Sequence, residues 1–185
     1  MRIEKNFRAD QEVILRFLDA LGGGAAILSG NKKARPGFFI FAHTFIEEFV
    51  DGSFFKKEAL LIAALENNGF PSDEGPVGAM RAEQEKSRDA ARHMLSAAKG
   101  WQEGDEEARG EVGWATSEYT STLRQHLNRL KTLIFPLLEQ NISPEDEHGI
   151  SEGLNVIAFE NSMKGDADRH AKLIESLEDE LSEWK

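Results

Sequence analysis

Val112, Ala115, Tyr119, Leu123, His126, Leu130, Leu133 and Leu137 follow one another at steps of three or four. An α-helix of about 3.6 residues per turn brings side chains at that interval back to one face. A helix with such a stripe gains most of its stability by burying it against other elements. This one segment therefore asks for helix-on-helix packing. Pro136 falls inside it and predicts a kink in its last turn.

The rest of the chain repeats the pattern. Phe7, Gln11, Ile14, Leu18 and Leu21 share a face of a first helix, and Gly22, Gly23 and Gly24 predict its end. Residues 22–35 read as a flexible connection without the GK[ST] ending of a phosphate-binding loop. A second helix is expected from Pro36 to about Asn67, with a seam of His43, Glu47, Val50, Phe54, Glu58, Leu61 and Leu65. Phe39, Ala42, Ile46 and Phe49 widen that face. A third begins near Pro76, its seam running Val77, Met80, Gln84, Ser87, Ala91, Met94, Ala98, and an acidic loop follows around residues 101–110. Ser143-Pro144-Glu145-Asp146 has the cap, the first-turn proline and the acids of a helix start. Helical periodicity resumes with His170, Leu173, Leu177 and Leu181. The expected fold is all-α: an up-down-up-down four-helix bundle over about residues 3–140, with a helical extension over about 143–185 packed outside it. Residues 1–185 are read as one domain. Phe7, Ile14, Leu18, Phe49, Phe54, Leu61, Met80, Leu123, Leu130 and Leu133 are the expected core.

Composition narrows the function classes. Lys and Arg number 22 against 33 Asp and Glu, a formal charge of −11. That surface repels nucleic-acid phosphates and anionic membranes, so neither is an expected partner. Without cysteine there is no disulfide, thiolate ligand or cysteine nucleophile. No apolar run is long enough to cross a bilayer, and the charged N-terminus lacks a signal-peptide core. A cytoplasmic location is expected.

Each of the first four seams carries one polar residue where an apolar one would pack better: Gln11, Glu58, Gln84 and His126. In an antiparallel bundle they fall at about one level, which is how bundles build internal sites. Singly, each reads as an edge residue, a solvated carboxylate or a hydrogen-bonded core histidine. Together they suggest a shared polar layer. A second grouping, His43 and Glu47 with His93 and Glu118, could form a displaced metal site, but the plainer reading is that Glu47 and Glu118 are solvated and His43 is a capped or surface residue.

Several stretches resemble one family in order and separation: FIEEFVD at 45–51, LLIAALENNG at 60–69, GPVGAMRAEQEKSR at 75–88 and LRQHLNRLKTLIFPLLE at 123–139. With Ser143 to Asp146 and the Glu160 to His170 stretch, they resemble the hemerythrin-like cation-binding family. The resemblance implies a four-helix bundle holding two irons through a first-helix His, a His-x-x-x-Glu pair on the second helix, a third-helix His, and a His-x-x-x-Glu pair on the fourth. The matching positions here are Gln11; Phe54 and Glu58; Gln84; His126 and Leu130. Two of the six keep a ligand-type side chain. The resemblance therefore implies a family member that has lost its di-iron centre and is a metal-free, non-enzymatic binding or regulatory protein. The old centre would be either packed or a pocket for a small ligand, and a protein partner is equally compatible. No cofactor is expected. The alternative is a retained iron protein using Glu58 and His126 for oxygen, nitric oxide or iron handling. An enzyme with Glu58 and His126 as an acid–base pair has no positive support.

Overall fold

The computed structural model describes residues 2–28, 30 and 33–185. Among the described residues there are helices and no strand. Helix α1 spans Arg2–Ala26. The second long helix is built of α2 (Pro36–Phe45), a π-helical stretch π1 (Ile46–Phe54) and α3 (Phe55–Asn67). Helix α4 spans Gly75–Gln102. The fourth long helix joins α5 (Ala108–Arg129), a π-helical turn π2 (Leu130–Ile134) and α6 (Phe135–Asn141). Then come α7 (Pro144–Lys164) and α8 (Asp166–Trp184).

Side-chain pairs fix the directions. Phe45 stacks on Phe17 while Phe54 meets Phe7, so α2–α3 runs antiparallel to α1. Phe39 lies by Trp101 and Arg81 pairs with Glu66, so α4 reverses again. His93 contacts Trp114 and Glu83 bonds His126, so α5 reverses once more. The result is an up-down-up-down bundle. The expected outer segment is a pair of helices, α7 and α8, laid over the groove between α1 and the second long helix. Leu173, Ile174, Leu177 and Trp184 are its buried side. Ser143 caps α7 as its sequence predicted, within a complete capping box with Asp146.

Four expectations are corrected. The glycines at 22–24 do not stop α1, which continues to Ala26. Two of them are close-packing positions: a Cβ on Gly24 would lie 2.6 Å from the Phe38 ring, and one on Gly23 2.9 Å from Leu181. The connection read over 22–35 is thereby shortened, and its residues 29, 31 and 32 lie outside the described residues. Trp101, placed in a loop, is buried in the last turn of α4. Phe49 and Leu133, expected in the core, are half-buried and pack against its edge. The other eight expected core residues are buried.

The fourth correction concerns helix geometry. Pro136 has no N–H to offer Thr132, and its ring would meet that carbonyl, so the preceding turn widens rather than simply bending. Phe135 N–H bonds Leu130 O, five residues back. In π1 the Phe55 N–H likewise bonds Val50 O. Gly52 helps there, since a Cβ on it would stand 3.0 Å from the Glu47 carbonyl. The wider turns rotate the buried face. The interior stripe passes through Phe38, Phe39, Ala42 and Phe45 before π1, through Ile46, Val50 and Phe54 within it, and through Phe55, Glu58, Leu61 and Leu65 after it. His43 is left half-buried, and the Glu47 side chain is 74% exposed. No described helix is long and apolar enough to cross a membrane.

Candidate functional site

Glu58, in the first turn of α3, is fully buried at the centre of the bundle. A carboxylate in such a place needs partners, because its unpaired charge would be costly to desolvate. Two come from neighbouring helices. Gln84 Nε2 of α4 donates to Glu58 Oε1 at 2.6 Å. His126 Nε2 of α5 lies 2.8 Å from both Glu58 oxygens. The other imidazole nitrogen, Nδ1, lies 3.0 Å from Glu83 Oε1. Glu83 in turn accepts from Arg129 Nε at 3.0 and 3.1 Å. The chain Gln84–Glu58–His126–Glu83–Arg129 runs from the dry centre to the half-exposed Arg129 guanidinium.

Two carboxylates flank one imidazole, and this decides its protonation. Burial alone would push the His126 pKa down, but the Glu58 charge and the hydrogen bonds to Glu58 and Glu83 outweigh it and raise the pKa to about 9. His126 is therefore an imidazolium at neutral pH, donating from both nitrogens. Burial likewise opposes ionisation of Glu83, yet its bonds from His126 and Arg129 hold it below the ordinary carboxylate range. The Phe55 ring stands edge-on to His126, 5.7 Å between centroids. Arg88 lies over Phe55 at 5.3 Å.

The remaining sequence candidates divide. Phe54 and Leu130 are fully buried. Phe54 packs on Phe7 with 5.7 Å between centroids, and Phe7 meets Phe135 at 5.5 Å, so hydrocarbon fills this flank of the layer. Gln11 is half-exposed on α1 and takes no part in the hydrogen-bonded chain. Its neighbour Asp10 instead accepts from Lys57 Nζ at 2.7 Å. The displaced grouping is not assembled. His43 lies 3.9 Å from Glu47, and His93 lies 3.7 Å from Glu111 on the outer surface.

Sequence reasoning passed over three residues. Glu83, next to Gln84 in the chain, and Arg129 are not singled out by the seam pattern. Arg129 follows His126 by three residues, the spacing at which helical side chains meet. Asp51 lies seven residues before Glu58, and its pKa is raised to about 6, chiefly by burial. Its charge is felt by Tyr119, seven residues before His126, whose hydroxyl pKa is pushed well above its usual value by burial and then by the Asp51 charge. The bundle thus carries a second polar level two turns from the first. Asp51 went unread because it belongs to π1, where the ordinary helical count fails.

Among the described residues no group of three or more His, Cys, Asp or Glu side chains is arranged to hold a metal ion. Glu58 and Glu83 do not converge, because they bond opposite edges of the same ring. Comparison with known families finds that the profile of the Hemerythrin HHE cation binding domain matches residues 2–138. Comparisons with curated proteins and with solved structures found no match.

Proposed function

The chain belongs to the hemerythrin HHE cation-binding family, and from that premise we propose that it works without iron, as a non-enzymatic binding or regulatory protein. The carrying observation is His126, both of whose ring nitrogens are engaged by carboxylates. A neutral imidazole with a free lone pair is a metal ligand, whereas an imidazolium is not. Here the positive charge that a metal would supply beside Glu58 comes from the His126 proton. Gln84 completes Glu58 as a neutral donor, and Phe54 and Leu130 fill positions that a di-iron centre would need as ligands. The donor set does not fit a pair of irons.

The same features argue against acid–base catalysis, since the charged core of the chain is buried under Phe55 and the helices around it. A cytoplasmic protein acting on a small ligand or a protein partner fits the acidic surface. Nucleic acid and membrane do not.

Elemental analysis tests this reading. Protein purified without chelator should carry far less than one iron per chain and lack the visible absorption of an oxo-bridged iron pair. Stoichiometric iron that survives dialysis overturns the proposal and favours an iron site formed by Glu58 and His126 after loss of the imidazole proton. A restored variant gives the converse. Gln11→His, Phe54→His, Gln84→His and Leu130→Glu together rebuild six ligand positions around Glu58 and His126. That variant should be less stable than the parent as apoprotein, should bind ferrous iron under anaerobic conditions, and should recover melting temperature on binding it. A variant that folds and takes up no iron means that the helices have moved from the family's spacing.

A further inference from the structure

Outside the bundle core, π1 and the start of α3 face the end of α7 and the start of α8 across a cleft of about 400 Å³. That size is within the range of small-molecule sites. Its far wall belongs to α7 and α8, beyond the residues matched by the family profile.

The inner wall offers hydrogen-bond donors beside the carboxylate of Asp10, which takes up one of them. The Lys57 side chain is only 9% exposed and gives one N–H to Asp10 at 2.7 Å. An ammonium has three donors, so two remain. The buried Ser53 hydroxyl accepts from Asn161 Nδ2 at 2.9 Å, which leaves its own proton to give. Opposite them lies the first turn of α8, preceded by Gly165 and with no side-chain cap on its N–H groups. The rim has the contrary character, with the carboxylates of Asp166 and Asp168. Between the two, the Phe49 ring and Ala158 supply an apolar surface. Phe49 is held in place by stacking on Phe45 and by the edge of His170, which itself bonds Glu48 at 3.3 Å.

We propose that this cleft binds a small zwitterion of the α-amino-acid type, its carboxylate toward Lys57 and Ser53, its ammonium toward Asp166 and Asp168, and an apolar side chain against Phe49. A simple anion would be repelled by the two rim aspartates, and a simple amine would approach the buried Lys57 ammonium. One molecule bearing both charges satisfies both ends. The proposal does not rest on the metal-free reading of the bundle centre.

Thermal shift and calorimetry on the full chain test it, with L-leucine and L-phenylalanine as probes beside 4-methylpentanoate and 3-methylbutylamine. At least one amino acid should raise the melting temperature and bind about tenfold or more tighter than the analogue lacking its ammonium or its carboxylate. Ala158→Trp, at an exposed position on α7, should fill the cleft and abolish binding while the protein stays folded. Asp168→Asn should weaken the amino acid and leave 4-methylpentanoate unchanged or improved. Lys57→Met with Asp10→Asn, changed together so that no lone charge is buried, should remove the carboxylate end. The proposal is overturned if neither amino acid binds at millimolar concentration, if an analogue binds as well as its parent, or if Ala158→Trp binds undiminished.

Discussion

At the scale of single residues, His126 is the side chain on which most depends. Its two carboxylate partners are buried with it, so its removal would leave Glu58 unpaired in a dry core. We expect His126→Ala to cost about 3–5 kcal/mol of unfolding free energy, read from urea titration. A loss under about 1 kcal/mol would mean that water already satisfies Glu58. Replacing both members, with Glu58→Leu and His126→Leu, should be milder than the single change, because no lone charge remains. The pH dependence has a definite sign. The folded-state pKa of His126, about 9, exceeds its ordinary 6.5, so the folded form holds this proton more tightly. Its stabilisation is complete below about pH 6.5 and disappears as pH rises through 9. Glu83 is shifted the other way, so its contribution is present above the ordinary 4.5 and is lost as pH falls further. Unfolding free energy measured between pH 6 and 10 should therefore fall, and the fall should vanish in Glu58→Leu, His126→Leu.

At the scale of elements, the glycines of α1 separate two roles that look alike in sequence. Gly22 has open space where a Cβ would go, whereas Gly24 is pressed against the Phe38 ring. Gly22→Ala should stabilise the protein by about 0.5–1 kcal/mol through helix propensity alone. Gly24→Ala should destabilise it by about 1–3 kcal/mol, because ring and helix must move apart. Equal shifts in melting temperature would show that the α1–α2 approach is looser than described. The two π-helical stretches matter for the same reason of register. One ends four residues before Glu58 and the other begins four residues after His126, so each sets the rotation of a helix that supplies the central layer.

At the scale of the molecule, the α7–α8 pair is tied to the bundle by two kinds of contact of unequal weight. Ion pairs are conspicuous: Arg16 with Glu178, Lys56 with Glu160, Arg169 with Glu48. All three are partly exposed, and such pairs contribute little, because water and salt screen them. Trp184, by contrast, is buried against Phe38 with 4.8 Å between ring centroids. Trp184→Ala should cost about 3 kcal/mol and speed proteolysis within α8, while Arg16→Ala should change stability far less. If the arginine variant proved the more damaging, electrostatics rather than burial would be holding the outer helices.

The sequence alone determined that this chain is helical, that its long helices pack antiparallel, and that Glu58, Gln84 and His126 lie near one level. These follow from a three-to-four residue period, which is local and survives in any packing of the helices. The capping box at Ser143 was legible for the same reason. Tertiary structure alone decided the rest. It drew Glu83 and Arg129 into the layer, because which flank of a helix meets its neighbour depends on rotation by a fraction of a turn. It left Gln11 at the edge, since α1 presents Asp10 to Lys57 instead. It moved His43 and Glu47 off the interior face through the extra residue that each wide turn of π1 accommodates. Gly23 and Gly24, breakers by propensity, became contact points because the outer helix α8 and helix α2 lie close against them. A period states which residues can face inward, and the partner helices select which of them do.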